Sequence, residues 1–445
     1  MVTFNPISCF TVNPAKAEKV VVAPNDYVIN PPEESSESLW LSFNNINIPQ
    51  KRSQAMKMLR GQTVARSVIS DAPIDLEEAF CDAREIFEEQ CKEKVYSFHQ
   101  DKHIYLYLIE WPGKKQIGLV GEVSLKDWRQ KLIRPNENVL IRNVEEIIAS
   151  TKIQGIFTGF PTLFGKLPTG VIETLESLSI KFSPMIDINF DGAKHKLIQL
   201  PNSENSGLQS KIDEVKQLYL ADGHHRSMAY CNIVESGNYE PAGIPAMIFD
   251  QSQLQILRFN RVLPSLLEQS ESVLLKKLTS FFDLTQITVP PLKEYSTYSD
   301  ELEKEIDLTV ISNNKNTFTF YFAESDRWFF AKSKGPFSQD PLEKLDANYL
   351  STYFFTQILG IEDLTRSGSI KYMPETAGST LHQALHTIKE GSKLLILCPE
   401  ASIEDIRMVS DLGLFMPPKS TLFYPKPVLG MIIKELPDYE THKKQ

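Results

Sequence analysis

An apolar run, Leu218-Tyr219-Leu220-Ala221, stops at Asp222, turns through Gly223 and continues as His224-His225-Arg226. No other stretch of the chain restricts the fold as tightly. An apolar run ended by an acid and a glycine predicts a buried strand followed by a tight turn. Met228, Ala229, Ile233 and Val234 then recur at roughly helical spacing, so the basic cluster opens a helix. A helix start carries N–H groups without intrahelical partners and the positive end of the dipole, which receive anions. The junction therefore predicts a phosphate or polyphosphate site. Arg226 would grip phosphate oxygens as a fork, and His224 or His225 would donate to a phosphate or shuttle a proton. Asp222 would cap the turn or help hold a divalent ion.

At 445 residues the chain exceeds ordinary single-domain size, and a mixed α+β organisation is expected along it. Asp75 to Lys94 predicts a helix with the stripe Leu76, Ala79, Phe80, Ala83, Phe87 and Cys91, with Asp75 and Glu78 as a capping box. Lys19 to Ala23 predicts a short strand. Ile104 to Ile109 and Gln116 to Val123 predict a hairpin through Pro112-Gly113, and 185–190 with 196–200 a second one. Helices are expected from about Val139 to Ser150, through Ile212 to Lys216, from Pro264 to about Phe282, and from Asp346 to Leu359. Strands near Leu308 to Ile311, Thr317 to Phe322 and Trp328 to Ala331 suggest a meander. The expected division is a larger domain over 1–275 and a smaller C-terminal α/β domain over 276–445.

The formal charge of −10 disfavours a general nucleic-acid or anionic-membrane binder, because both need a dominant basic surface. The five cysteines are odd in number and widely spaced, which implies no disulfide framework and no zinc knuckle. With no leader-like N-terminus and no apolar stretch near the roughly 20 residues that span a bilayer, the cytoplasm is the expected compartment. No G-x-x-x-x-G-K-[ST], G-x-G-x-x-G or G-x-S-x-G element occurs. His382 and His386 have one-face helical spacing, but Gln383 stands where the zincin pattern has its glutamate, so an exposed helix face is expected.

Glu137, between a strand-rich segment and the helix expected from Val139, could take a proton from a hydroxyl, bind magnesium, or simply favour the helix dipole. Lys419 in Pro417-Pro418-Lys419-Ser420-Thr421 and Lys426 in Tyr424-Pro425-Lys426-Pro427 stand out in so acidic a chain.

Leu220 to Arg226 resembles the hallmark of family 1015 among the domains of unknown function. Met416 to Lys426 resembles that family's C-terminal M-P-x-K-S-T-x-F-x-P-K signature, followed by an apolar strand like Gly430 to Ile433. The resemblance implies a ParB/sulfiredoxin-like fold for the larger domain, with nucleotide phosphate at Asp222, Gly223, His224, His225 and Arg226. It also implies similarity to a free-serine kinase, which carries the same D-G-H-H-R run and an upstream catalytic glutamate. Carried onto this sequence, Glu137 becomes the base, Glu137 and Asp222 the magnesium ligands, His224 and His225 catalytic partners, and Lys419, Ser420, Thr421 and Lys426 a secondary set. Two segments depart from the family pattern. Asn136-Glu137-Asn138-Val139 stands where H-E-x-T is usual, and Pro24-Asn25-Asp26-Tyr27-Val28 where P-P-Y-D-V is usual.

The implied chemistry is phosphoryl transfer from ATP or ADP, with magnesium, to a small hydroxylated acceptor such as serine. The alternatives are a nucleotide-binding switch or slow nucleotide hydrolase without an acceptor and, least favoured, a DNA-binding protein of the ParB kind. Oligomeric state is not legible.

Overall fold

The computed structural model describes residues 1–21, 76–139, 141–190, 192–237, 243–288, 314–336, 339–362, 369–374, 388, 391–417, 419–437 and 439. The chain is a mixed α and β protein that divides into two compact units. The first comprises Met1–Pro135, Val139–Leu254 and Pro425–Gln445; the second comprises Asn136–Asn138 and Gln255–Tyr424. This differs from the expected division at 275/276. The chain leaves the first unit about twenty residues earlier, at Leu254, and re-enters it at Pro425. A composition change after Phe282 marks the interior of the inserted unit rather than its edge.

In chain order the strands are β1 (Phe4–Asn5), β2 (Ile7–Val12), β3 (Tyr96–His103), β4 (Tyr105–Trp111), β5 (Lys114–Ser124), β6 (Ile133–Arg134), β7 (Ile156–Phe157), β8 (Thr162–Gly165), β9 (Ile186–Phe190), β10 (Ala193–Gln199), β11 (Leu218–Asp222) and β12 (Gly243–Asp250). They continue as β13 (Gln255–Leu257), β14 (Phe259–Leu263), β15 (Phe282–Ile287), β16 (Thr317–Phe322), β17 (Arg327–Ser333), β18 (Lys371–Pro374), β19 (Leu394–Leu397), β20 (Leu422–Tyr424) and β21 (Ile432–Glu435).

In the first unit a mixed sheet runs β6-β11-β8-β12-β5-β4-β10-β9, with β1 also paired to β5. The two expected hairpins form: Trp111 faces Lys114 across the first turn, and Phe190 faces Ala193 across the second. Tyr105 to Ile109 and Ile117 to Val123 are buried as continuous runs, as central strands covered on both faces must be. A second sheet, β3-β2-β21-β7, takes its third strand from the returning C-terminal segment. The helix Leu76–Lys92 packs Phe87 on Phe10 and Tyr96, while its proposed cap Asp75 lies outside the described residues.

In the second unit a six-stranded sheet runs β15-β17-β16-β19-β14-β18, and β13 pairs with β20. The expected meander forms over Thr317–Phe322 and Arg327–Ser333, and 308–311 lies outside the described residues. Phe282, Phe318, Phe320 and Phe354 meet edge to face in the core.

Four local expectations change. Ala17–Val20 forms one helical turn where a strand over 19–23 was expected, because Val21 N–H bonds Ala17 O at 3.0 Å. The helix expected over 212–216 is instead Asn202–Ile212, which starts after Pro201. The long helix from Pro264 shrinks to Glu271–Leu278, because Leu267 (φ 51°) and Glu268 (φ 62°) are left-handed and Ser270 caps the start. The Asp346 helix forms but widens to π-type turns over Leu350–Ile358 before Gly360. A wider turn narrows the angle between successive side chains, so adjacent Tyr353, Phe354 and Phe355 can all face one core.

Candidate functional site

Asp222 ends β11, Gly223 turns at φ 88°, and the helix His224–Gly237 begins at once. The strand–turn–helix junction forms as the residues predict. Only a residue without a Cβ takes that φ cheaply, and a Cβ on Gly223 would also stand 3.1 Å from Pro161 Cα.

The charges differ from the expected arrangement. Arg226 Nη2 donates to Asp222 Oδ2, and Lys426 Nζ donates to Asp222 Oδ1. One carboxylate thus holds two cations, one from each signature block. Burial alone would raise the Asp222 pKa, but Lys426 and Arg226 outweigh it and hold the carboxyl at about 2. His224 is buried, which together with Lys426 and Arg226 pushes its pKa down to about 4 against the pull of Asp222. His224 is therefore neutral near pH 7, and the second cation of the cluster is Lys426. His225 is half-buried beside it on the first turn.

Sequence reasoning missed the residues that shape this cluster. Gly159, in the connection between β7 and β8, leaves room for Arg226: a Cβ there would lie 2.5 Å from Nη1 and 2.8 Å from Cδ. Lys426 is held through its backbone neighbours. Gln116 Nε2 donates to Pro425 O at 3.2 Å, and Val428 N–H donates to the Tyr107 hydroxyl at 2.9 Å. That hydroxyl is also hydrogen-bonded to His195 Nδ1 at 3.1 Å. Burial takes the His195 pKa down to about 4, so the ring is neutral near pH 7. A tyrosine diagonal to a histidine on the neighbouring strands β4 and β10 was the available signal.

A cleft of about 300 Å³, its mouth included, opens beside the cluster. Thr158, Phe160, Thr162, Asp222, Arg226, Met247 and Pro427 to Leu429 line it, with Ile432. Two hydroxyls, a guanidinium and apolar walls suit an anion attached to a larger, flatter group.

Glu137 lies in the second unit, where it is bridged to Met416 and accepts from Thr421 Oγ1 at 3.2 Å. Asn136 O accepts from Met416 N at 2.8 Å, which fixes this junction. The glutamate is thus brought to the second signature block. Ser420 Oγ donates to Pro417 O at 2.6 Å, and Lys419 Nζ stands 5.7 Å over the Phe259 ring. So Lys419, Ser420 and Thr421 gather with Glu137, while Lys426 gathers with Asp222.

The residues do not fit the expected magnesium site. Both Asp222 oxygens accept from cations, and no cluster of three or more His, Cys, Asp or Glu side chains suited to a metal occurs among the described residues. His382 and His386 lie outside the described residues. No helix among the described residues is long and apolar enough to cross a membrane.

Among solved structures, a free serine kinase variant in complex with ADP is 12% identical, covers 68% of this chain and 87% of its own, and has a TM-score of 0.34. C-terminally truncated SbnI from Staphylococcus aureus is 11% identical over 73% of this chain and 92% of its own, at a TM-score of 0.37. A conserved hypothetical protein from Pyrococcus furiosus is 12% identical over 68% and 90%, at 0.30. No curated protein matches the chain. The family of proteins of unknown function DUF1015 matches residues 5–348, including the strand–turn–helix junction at Asp222, and the chain belongs to that family.

Proposed function

We propose that the first unit binds the phosphate groups of a nucleotide, ATP or ADP, at Asp222 to Arg226, and that the protein transfers a phosphoryl group to a small hydroxylated metabolite. The observation that carries this reading is the pairing of Arg226 and Lys426 on one carboxylate, at the start of a 14-residue helix and beside a lined cleft. Two cations on one anion leave a net positive charge, and the helix dipole adds to it. Asp222 pre-orients both donors, so an entering phosphate meets cations already in place rather than mobile side chains. His225, and the neutral His224 through an N–H, would add donors at the helix start. Glu137 is the proposed general base for the acceptor hydroxyl, with Thr421 as its partner. No step is assigned to a metal held by Asp222.

The test is calorimetric titration of the full chain with ADP, ATP and inorganic phosphate, with and without added magnesium. Arg226→Ala should weaken nucleotide binding about 10- to 100-fold, the size expected for a charge-assisted hydrogen bond. Unchanged affinity in that variant, or no binding by the parent chain, would remove the proposal. Glu137→Gln separates transfer from simple occupancy: phosphorylation of hydroxylated acceptors should drop about 100-fold or more while nucleotide affinity holds. Turnover of nucleotide without any acceptor, unaffected by Glu137→Gln, would instead mark a slow hydrolase or switch.

A further inference from the structure

The second unit contains a cleft of about 390 Å³, its mouth included, whose lining holds one cation, Arg261, and two acids, Asp346 and Asp405. Arg261 on β14 is 4% exposed, and its guanidinium is stacked 4.4 Å from the Tyr372 ring centroid. Its Nη1 donates to Phe259 O at 2.5 Å and Asn260 O at 3.4 Å, and its Nη2 to Lys419 O at 3.0 Å. Its Nε makes no hydrogen bond within the described residues, and no carboxylate pairs with it. A buried guanidinium satisfied only by carbonyl oxygens is an unusual arrangement, because the desolvation of its charge is not matched by an opposite one.

Of the two acids, Asp346 is the one that forms no ion pair among the described residues, and one of its oxygens accepts from Asn316 N–H at 2.8 Å. Lys315, the nearby ammonium, is committed to Asp405 at 2.6 Å. Burial, the largest influence, raises the Asp346 carboxyl to about 6, with Asn316 and Lys315 opposing and Asp405 reinforcing. The Cys398 thiol lies within electrostatic reach of both groups, since Arg261 favours its thiolate and Asp346 opposes it. Phe259, Leu345, Pro399 and Met416 supply apolar wall to the cleft.

We propose that this cleft is a binding site for a small zwitterion carrying a carboxylate and an ammonium group, the first received by Arg261 and the second by Asp346. A planar guanidinium is matched to a carboxylate, and a half-buried carboxylate with one oxygen still to satisfy is matched to an ammonium. The site lies wholly in the second unit, and its test does not depend on the nucleotide reading.

Thermal unfolding and calorimetry of the full chain without nucleotide test it, using glycine, L-alanine and β-alanine against propionate and ethylamine. At least one zwitterion should bind and raise the melting temperature, and should bind about tenfold or more tightly than propionate or ethylamine. Asp346→Asn should erase the preference over propionate, and Arg261→Lys should weaken zwitterion binding about tenfold or more. If Arg261→Lys does not fold, Asp346→Asn and the single-charge probes decide. Failure of all three zwitterions to bind, or equal binding by parent and Asp346→Asn, overturns the proposal whether or not nucleotide binds.

Discussion

Two arginines of this chain, the half-buried Arg226 and the buried Arg261, are managed in opposite ways. Arg226, in the first unit, shares Asp222 with Lys426, so its charge is answered inside the protein. Arg261, in the second, is answered only by carbonyl dipoles and the face of Tyr372. Breaking a paired set strands ions that have already left water, whereas a cation held by dipoles keeps its strongest interaction for something from outside. A basic residue beside an acid is thus informative about organisation, and one without an acid is informative about ligands.

The largest expected effect tests the closed half of that contrast. Asp222→Asn strands Arg226 and Lys426 together and should cost about 3–5 kcal/mol of stability in urea unfolding. A loss under about 1 kcal/mol would mean that the cations find other partners and that the carboxylate does not organise them.

Acid titration comes next. His224 and His195 titrate at about 4 in the fold and at roughly 6.5 when unfolded. The unfolded chain therefore binds more protons between those values, and stability should decline as pH falls from roughly 6.5 toward 4, by on the order of 3 kcal/mol per histidine. Asp222, held at about 2, adds a later loss below roughly 3.9 that is complete once pH has passed through 2. His195→Gln should flatten the upper part of the profile, and an unchanged slope would show that His195 is not held neutral.

Tyr107→Phe removes the hydroxyl that links Val428 N–H to His195 and should cost about 1–3 kcal/mol. It should also loosen the positioning of Lys426 enough to weaken phosphate binding, with Arg226 untouched. A variant that loses stability but keeps full phosphate affinity would show that Lys426 is placed without this link. The smallest effect belongs to the second unit: Thr421→Val should cost about 0.5–1.5 kcal/mol through the lost bond to Glu137. That cost should vanish in a Glu137→Ala background if the hydroxyl acts only through the carboxylate, and an equal cost in both backgrounds would show that it does not.

The junction at Asp222 was legible because a buried strand, a glycine and a helix repeat are local signals. The two hairpins were legible for the same reason. Lys426 could be singled out as conspicuous, but its partner could not be read, because 204 positions separate it from Asp222. The neutral state of His224 depends on burial among distant elements, which no spacing records. Leu267 and Glu268 broke an otherwise good helical stripe through left-handed backbone that neither residue type advertises. The domain limits were missed because an insertion returns to its host through a strand, β21, that looks like any other apolar run.

That return has a consequence for how the protein is made. β21 lies between β2 and β7, so strands formed from the first residues of the chain gain this neighbour only after the whole inserted unit has been synthesised. Gln255 and Tyr424 are paired across β13 and β20, so the insertion starts and finishes at neighbouring points. On the ribosome the second unit can close on its own ends while the second sheet of the first still waits for its third strand.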